Sequence, residues 1–282
     1  MPELSDEHIR SHVANALAED IGSGDVTTNA IVNADHRSAA FIIAREEMVL
    51  CGLSLAKEVF NQLDPECEIQ HLDEDGHQID ENGNIMSIMA TTRALLAGER
   101  TVLNYIQRLS GIATMASLYV NKAKHSNALI LDTRKTTPGW RLLEKYAVQC
   151  GGARNHRRGL DDMIMIKDNH LASMDGSNRI ARAIDLARKN SPELKIEVEA
   201  DTVVQARQAA DAGADIILLD NMSVDELREA VSVIDNRSQT EASGRVNINN
   251  IQEIASTGVD FISVGAITHS APAVDVSLEI IK

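Results

Sequence analysis

After residue 127 the chain alternates short apolar or β-branched runs with amphipathic segments at fairly even intervals, and this alternation limits the possible folds more than any other feature. Apolar strands separated by helices predict a parallel sheet covered on its faces, as in an α/β barrel or a doubly wound fold. Six such units are slightly short of the eight of a closed barrel. The runs are ALILDT, DMIMIKDN, LKIEVEAD, ADIILLDN, QTEASG and DFISVGA.

The residues before this alternation have mixed α and β order. The stretch from Ser5 to Asp20 has the periodicity and the N-terminal serine of an amphipathic helix. SAAFIIAREEMVLCG predicts a pair of strands, because it is rich in apolar residues and ends in glycine. Helical periodicity then extends from Thr92 to Lys124, and we expect soft breaks at Gly98 and Gly111 because glycine weakens helix interiors.

The composition argues against nucleic acids and membranes as partners. The formal net charge is −15 and the pI is near 5.0, whereas nonspecific binding to nucleic acid or to an anionic membrane needs a basic surface. Aromatic residues make up only 2%, so bases have no stacking platform. No apolar run reaches the roughly 18 residues of a membrane span, and the acidic start does not resemble a secretory signal. We therefore expect a cytoplasmic globular protein.

The chain contains three cysteines, Cys51, Cys67 and Cys150. They are too few and too scattered for a disulfide framework, and none has the spacing of a metal-ligand pair. We expect them to be free, buried thiols.

Polar residues or glycines follow all six predicted strands. The carboxyl ends of parallel strands converge on one mouth, so these residues should meet there. Some of them are explained as helix caps, but a lysine or arginine just before a helix N-terminus is the reverse of what the helix dipole favours. We therefore expect the basic strand ends to be functional. The strand-end residues are Arg134, Lys135, Lys167, Asp168, Glu199, Asp220, Ser243, Gly244 and Gly265.

The mouth would combine a basic sector with an acidic one. Several converging cations can hold a small dianion, since an ion pair at about 4 Å is worth roughly 4 kcal/mol before desolvation at an effective dielectric constant near 20. Two carboxylates, Glu199 and Asp220, suit Mg²⁺, and Gly244 and Gly265 lie where barrel enzymes bind phosphate on backbone N–H groups. The basic sector comprises Arg134, Lys135, His156, Arg157 and Lys167.

Several longer motifs resemble the quinolinate phosphoribosyltransferase family. They are EDIGSGDVTT, AGERTVLNYIQRLSGIAT, DTRKTTPGWR, NHRRGLDDMIMIKDNH, IEVEAD, IILLDNM, EASGRV and DFISVGAITHSAPAVDVSL. The resemblance implies an open α/β barrel over residues 111–271 and an N-terminal α/β sandwich domain over residues 1–110, against which the tail 272–282 packs. It also implies a homodimer or a higher oligomer, and a Mg²⁺-dependent reaction of NAD biosynthesis. In that reaction quinolinate and phosphoribosyl pyrophosphate give nicotinate mononucleotide, pyrophosphate and CO₂.

The resemblance also assigns roles to single residues. Quinolinate would contact the basic sector, Glu199 and Asp220 would face the phosphoribosyl group and Mg²⁺, and Arg100 would reach the site from the neighbouring subunit. Lys135, Lys167, Glu199 and Asp220 would be catalytic. The remaining substrate-binding positions, several of them in the loops for the 5-phosphate, are Thr133, Ser243, Gly244, Arg245, Ser263, Val264 and Gly265.

One position departs from the family pattern. Many members have glycine where this chain has Arg245, and a left-handed turn favours glycine. A second point stays open in the sequence, because strand alternation places Glu197, Glu199 and Asp201 on one side and only the resemblance selects Glu199 for the metal.

The mechanism implied by the mixed site needs no nucleophilic side chain. Cations would stabilise the departing pyrophosphate, and the ribosylated ring would stabilise the carbanion left by decarboxylation. The proton that neutralises this carbanion would come from Lys167 or from water. Three alternatives remain: a Schiff-base lyase that uses Lys167, a nicotinate phosphoribosyltransferase, and a phosphoribosyl pyrophosphate sensor without turnover.

Overall fold

The computed structural model describes residues 4–281, which form two compact units. The first unit comprises the described residues up to Ser117, Thr137–Gly152, and the described residues from Ser270 onward; the second comprises Leu118–Thr136 and Ala153–His269. The elements in chain order are α1 (Asp6–Ile21), α2 (Val26–Ile31), β1 (Arg37–Ala44), β2 (Met48–Val49), α3 (Leu53–Leu63), β3 (Glu68–Leu72), β4 (Gln78–Ile79), β5 (Asn84–Thr91), α4 (Thr92–Ala123), β6 (Leu129–Leu131), α5 (Arg141–Cys150), β7 (Ile164–Ile166), α6 (Asp168–Ala172), α7 (Arg179–Asn190), β8 (Ile196–Ala200), α8 (Val203–Asp211), β9 (Ile216–Asp220), α9 (Val224–Ile234), β10 (Gln239–Ser243), α10 (Ile251–Ala255), β11 (Phe261–Ser263), α11 (Ala266–His269) and β12 (Val276–Ile281).

The first unit contains a four-stranded antiparallel sheet in the order β12-β1-β5-β3. Residues of β1 alternate between buried and more exposed positions, as expected for a strand with one face on the core. The predicted strand pair in SAAFIIAREEMVLCG does not form, although both strands exist. The two edges of β1 are occupied by β5 and β12, so β2 pairs with β4 instead.

Helix α4 is continuous, so the soft breaks predicted at Gly98 and Gly111 are wrong. Both glycines serve close packing. A Cβ atom at Gly98 would lie 2.9 Å from a methyl carbon of Leu63, and one at Gly111 would lie 2.0 Å from the carbonyl oxygen of Pro272. The helix tolerates the lower helix propensity of glycine because a neighbouring segment takes the place of the missing side chain.

Residues 137–152 lie in the first unit, whereas the sequence analysis places them in the barrel. The side chain of Glu144, on α5, is completely buried and forms an ion pair of 3.0 Å with Arg108 on α4. A Cβ atom at Gly151 would lie 2.2 Å from the carbonyl oxygen of Ala113, so the end of α5 packs tightly on the same helix. A buried ion pair and a close backbone contact therefore hold α5 in the first unit.

The second unit contains a parallel six-stranded sheet in the order β6-β11-β10-β9-β8-β7. Among the described residues, β6 and β7 are the two edge strands, which confirms the predicted open α/β architecture. Val198, Leu219 and Ile262 are fully buried, as parallel strands covered on both faces require. Residues 4–281 contain no helix that is long and apolar enough to cross a membrane.

Candidate active site

A cavity of about 400 Å³ lies at the carboxyl ends of the six parallel strands. Each strand contributes at least one residue to it, because parallel strands bring their carboxyl ends to the same edge. The lining combines five basic side chains with three carboxylates. It consists of Thr133, Arg134, Lys135, His156, Arg157, Met165, Lys167, Glu199, Leu218, Asp220, Glu241, Ser243 and Ser263.

Arg134 and Arg157 form a cationic wall of this cavity. Burial lowers the pKa of Arg157, and the nearby positive charge of Arg134 lowers it further. Arg157 donates a hydrogen bond of 3.2 Å to the carbonyl oxygen of Met163. The buried Nε of Arg134 has no hydrogen-bond partner among the described residues. Two repelling guanidinium groups with a spare donor are suited to bind an anionic ligand.

The backbone of Lys135 is held by two hydrogen bonds. Its amide donates to Oγ1 of Thr133 at 3.1 Å, and its carbonyl oxygen accepts a hydrogen bond of 2.8 Å from Oγ1 of Thr268. A Cβ atom at Gly265 would lie 3.1 Å from Cδ of Lys135, so the glycine leaves room for the lysine side chain. The loops after β6 and β11 therefore fix Lys135 together.

Beneath the cationic wall lies a buried group that we call the floor cluster: His156, Glu197 and Glu241. Nε2 of His156 is 3.2 Å from Oε2 of Glu197 and 3.4 Å from Oε2 of Glu241. The side chains of the two glutamates are 0% and 1% exposed, and that of His156 is 7% exposed. Both carboxylate oxygens of Glu197 lack a hydrogen bond of good geometry among the described residues. The imidazole is therefore the polar partner that the two buried carboxyl groups share.

The surroundings of the floor cluster favour retention of a proton shared between its imidazole and its carboxyl groups. Burial alone would lower the pKa of His156, but Glu197 and Glu241 outweigh it and raise the pKa to about 10. Burial raises the pKa of Glu197 to about 7. Nδ1 of His156 accepts a hydrogen bond of 2.7 Å from the Arg157 amide, so the ring faces the two carboxyl groups with Nε2.

The backbone of His156 is anchored as firmly as its ring. Its amide donates a hydrogen bond of 2.7 Å to Oδ1 of Asp132, which is completely buried. The ring in turn accepts from the Arg157 amide. The floor cluster therefore sets the position of Arg157, one residue further along the chain.

The second acidic group, which we call the rim cluster, comprises Glu199, Asp201 and Asp220. One carboxylate oxygen from each residue lies within 4.8 Å of the others. Nζ of Lys167 lies 3.7 Å from Oε2 of Glu199. Burial raises the pKa values of Glu199 and Asp220, and neighbouring carboxylates raise them further against the opposing effect of Lys167. This concentration of negative oxygen ligands fits a hard cation such as Mg²⁺.

The turn after β10 has a left-handed backbone at two successive residues. Gly244 has φ +88° and Arg245 has φ +52°. A Cβ atom at Gly244 would lie 2.3 Å from Oδ1 of Asn221, so no larger residue fits there. Arg245 adopts the conformation that favours glycine, at a cost of roughly 1 kcal/mol. Its carbonyl oxygen accepts hydrogen bonds from the side chains of Asn247 and Asn250, which hold the turn.

Ten of the predicted substrate-binding residues line the cavity, and five do not. Arg100 is exposed on α4 in the first unit. The amide of Val264 donates to the carbonyl oxygen of Leu131 at 2.9 Å and is already bonded within the sheet. The other three, Gly244, Arg245 and Gly265, belong to the turns after β10 and β11.

The prediction missed four residues of the site. Met165, Leu218 and Glu241 line the cavity, and Glu197 lies in the floor cluster. Each stands two residues before a predicted strand-end residue. Because side chains of a strand alternate between its faces, positions two residues apart face the same side. That rule was a sufficient signal for all four residues.

Comparison with known proteins gives a consistent picture. The model of the quinolinate phosphoribosyl transferase N-terminal domain matches residues 25–110, and that of the C-terminal domain matches residues 112–279. A probable nicotinate-nucleotide pyrophosphorylase (carboxylating) of Synechocystis is 42% identical over 270 residues, covering 94% of this chain and 90% of the relative. A chloroplastic nicotinate-nucleotide pyrophosphorylase (carboxylating) of Arabidopsis thaliana is 38% identical, covering 96% of this chain and 82% of that protein. The solved nicotinate-nucleotide pyrophosphorylase of Francisella tularensis has a TM-score of 0.94 and 43% identity, over 99% of this chain and 98% of that chain.

Proposed function

The chain belongs to the quinolinate phosphoribosyltransferase family, and from that premise we propose how its strand-end cavity serves the two substrates. The reaction joins quinolinate to the ribose of phosphoribosyl pyrophosphate and yields nicotinate mononucleotide, pyrophosphate and CO₂ in NAD biosynthesis. The observation that carries the proposal is the lining of the cavity, in which cations follow β6 and β7 and carboxylates follow β8 and β9.

Quinolinate, a dicarboxylate, binds at the cationic wall. Arg134 offers a buried donor without a partner, and the repulsion between Arg134 and Arg157 is relieved by two carboxylates. Lys135 and Lys167 add positive charge at the two edge strands. His156 uses Nδ1 for the Arg157 amide and directs Nε2 at the floor carboxylates, so it acts by positioning Arg157 and by forming a wall with its ring.

The phosphoribosyl substrate binds toward the rim cluster and the turns after β10 and β11. Ser243, Ser263 and the glycine amides of these turns supply hydrogen-bond donors for the 5-phosphate. The rim carboxylates Glu199 and Asp220 lie where positive charge develops on the ribose carbon as pyrophosphate departs. Their unbalanced negative charge supports this placement.

We assign the rim cluster as the place where Mg²⁺ would be held, with Glu199 and Asp220 as ligands, directly or through water. The donor set fits, because three carboxylates offer hard oxygen ligands within 4.8 Å of one another. A bound Mg²⁺ supplies positive charge against the departing pyrophosphate. Lys135 and Lys167 supply further positive charge from the chain itself, and the arginines keep the pyridine ring in line with the ribose carbon.

The proposal is tested by incubating the purified protein with quinolinate, phosphoribosyl pyrophosphate and Mg²⁺ and measuring nicotinate mononucleotide. We expect product from quinolinate and little or none from nicotinate, because two guanidinium groups match a dicarboxylate. Preferred turnover of nicotinate would identify a nicotinate phosphoribosyltransferase instead. Binding of phosphoribosyl pyrophosphate without product would identify a sensor, and borohydride trapping of a keto substrate would identify a Schiff base on Lys167.

We further propose a cytoplasmic homodimer in which Arg100 completes the site of the partner subunit. Arg100 is exposed on α4, so its side chain is available to a second copy of the chain. Arg100→Ala and Lys167→Ala should each abolish activity alone. Hybrid dimers formed by mixing them should recover about a quarter of the normal activity, because half of the dimers hold one intact site. Absence of recovery in confirmed hybrids would place Arg100 in its own subunit's site.

A further inference from the structure

The first unit contains two neighbouring cysteines that the reaction does not use. Cys51 follows β2, and Cys150 is the last residue of α5. Their sulfur atoms lie within 4.8 Å of each other and of a carboxylate oxygen of Asp75. The sequence analysis treats them as separate thiols, since they stand far apart in the chain, but folding brings them together.

The two thiols have unequal surroundings. Cys51 is completely buried, and its backbone amide and carbonyl are both bonded to Oγ of Ser110, at 2.9 Å and 3.1 Å. Cys150 and Cys67 are partly exposed, so the expectation of buried thiols is wrong for these two and holds for Cys51. The hydrogen bond from Cys51 lowers the pKa of Cys150, whereas burial raises the pKa of Cys51. The lower pKa therefore belongs to Cys150, which is also the more exposed of the two residues.

Asp75 holds the segments of both cysteines in place. One of its carboxylate oxygens accepts hydrogen bonds from the amides of Gly52 and Leu53, at 3.0 Å and 3.1 Å. The other accepts a hydrogen bond of 2.9 Å from the hydroxyl of Tyr146, which lies one turn before Cys150 on α5. Three donors thus occupy most of the lone pairs of this carboxylate. This arrangement favours chemistry between the two sulfur atoms over capture of a metal ion.

We propose that Cys51 and Cys150 form a redox-active dithiol, which a peroxide converts into an intramolecular disulfide. The Cys150 thiolate attacks one oxygen of hydrogen peroxide, forming an S–O bond while the O–O bond breaks and hydroxide leaves. Cys51 then gives its proton to that hydroxide, and its sulfur attacks the sulfur of Cys150. The S–S bond forms as the S–O bond breaks and, after protonation, the second oxygen leaves as water. In sum, two thiols are oxidised and one peroxide is reduced to two waters.

The geometry supports both halves of this step. An accessible, low-pKa cysteine beside a second thiol is the usual arrangement in peroxide-sensitive proteins. Disulfide formation needs the two sulfur atoms, which lie within 4.8 Å of each other, to approach to about 2.05 Å. Cys67, which lies after α3, does not belong to the cluster of Cys51, Asp75 and Cys150, so it provides an internal control.

The test uses the reduced full-length protein and increasing hydrogen peroxide up to a few equivalents, followed by alkylation and peptide mapping. The chain has three thiols. We expect two thiols to be lost together and a peptide that joins Cys51 to Cys150 to appear. Dithiothreitol should cleave this link, and Cys67 should remain free to react with the alkylating reagent. Preferential oxidation of Cys67, or oxidation of Cys150 to higher acids without a disulfide, would overturn the proposal.

Three variants separate the roles of the thiols. Cys51→Ala should accumulate a sulfenic acid on Cys150, which dimedone traps, because the second thiol is missing. Cys150→Ser should leave Cys51 reduced, because Cys51 is completely buried. Cys67→Ser should form the same disulfide as the natural chain. If a Cys51 variant does not fold, the peptide map of the natural chain still decides, and equal reactivity of Cys51 in Cys150→Ser contradicts the order of attack.

Discussion

Glu197 and Glu199 lie two residues apart on β8 and point to the same side of the sheet, yet they belong to different groups. Glu197 is completely buried in the floor cluster with His156 and Glu241. Glu199 is partly exposed in the rim cluster with Asp201 and Asp220. Since the side chains are chemically identical, depth in the sheet separates a carboxyl that holds a proton from one that is free to meet a cation.

The floor cluster should therefore affect the free energy of unfolding and the position of Arg157. The rim cluster should affect the binding of ligands. Burying two carboxyl groups is costly unless they share a proton and keep the imidazole of His156 beside them. At the rim, solvent screens the charges, so repulsion between Glu199 and Asp220 is tolerated until a ligand arrives. Four substitutions test this division, taken from the largest expected effect to the smallest.

Loss of the floor histidine should have the largest effect. His156→Ala leaves Glu197 and Glu241 buried without the Nε2 donor, and we expect the free energy of unfolding to fall by about 3–5 kcal/mol. Urea denaturation at neutral pH measures this. The control is Lys167→Ala, which removes the partner of Glu199 at the rim and should cost at most about 1 kcal/mol because that pair is partly exposed. Equal losses in the two variants would contradict the division between floor and rim.

Arg134→Ala tests what the floor supports, namely the cationic wall. We expect kcat/KM for quinolinate to fall by about two to three orders of magnitude, the usual cost of losing one donor to the transition state. Stability should change little, since Arg134 is not part of the floor cluster. Arg158→Ala is the matched control, because Arg158 is exposed and does not line the cavity. A loss below about fivefold in Arg134→Ala would remove its assigned role.

These two groups also show how far the sequence could predict the site. The alternation of strands and helices sufficed for the open parallel sheet, and strand ends sufficed for six of the cavity residues, whereas Thr133, His156, Arg157 and Ser263 do not belong to the strand-end set. Glu241 lies inside β10 and not at its end, so the position of strand ends does not select it, although the two-residue period of β10 places it on the same face as Ser243. The pairing of His156 with Glu197 and Glu241 could not be predicted, because it joins three segments and depends on burial rather than on spacing.

The first unit illustrates the opposite difficulty. Local patterns predicted α1 and its Ser5 cap, whose Oγ accepts a hydrogen bond of 3.3 Å from the His8 amide. They could not predict that β12 covers the edge of β1, because that pairing joins residues at the two ends of the chain. Gly111 was interpreted by helix propensity, whereas the close approach of Pro272 determines its role.

The pH dependence of stability distinguishes the floor from an ordinary surface carboxyl. Burial raises the pKa of Glu197 from 4.5 to about 7, so the folded chain binds more protons than the unfolded chain between these pH values. The free energy of unfolding contributed by Glu197 is therefore present below pH 4.5 and is lost as the pH rises toward 7, by about 3 kcal/mol. Glu197→Gln should lack this decline, which urea denaturation at several pH values measures.

A second variant provides a control of opposite sign. Hydrogen bonds from Ser223 lower the pKa of Glu226, at the start of α9. The stability contributed by Glu226 is therefore present above its ordinary pKa and is lost as the pH falls. Glu226→Gln should be less stable than the natural chain at neutral pH, and this difference in the free energy of unfolding should shrink as the pH falls. The corresponding difference for Glu197→Gln should instead change across pH 4.5–7. A flat difference for Glu197→Gln would show that the floor holds no shared proton.

The smallest expected effect concerns the rim and the metal that we assign to it. Asp220→Asn removes one negative oxygen ligand, and we expect the Mg²⁺ concentration for half-maximal activity to rise by about tenfold to a hundredfold, the range seen when a metal site loses supporting interactions. Mn²⁺ binding to the protein, followed by electron paramagnetic resonance, should weaken in parallel and does not depend on turnover.

Asp201→Asn should have a smaller effect, because Asp201 is exposed. Glu197→Gln should leave both readouts unchanged, since Glu197 is completely buried in the floor cluster and does not belong to the rim cluster. If Asp220→Asn leaves Mn²⁺ binding intact while Glu197→Gln weakens it, the cation belongs to the floor cluster, and depth in the sheet does not separate the two groups of carboxylates.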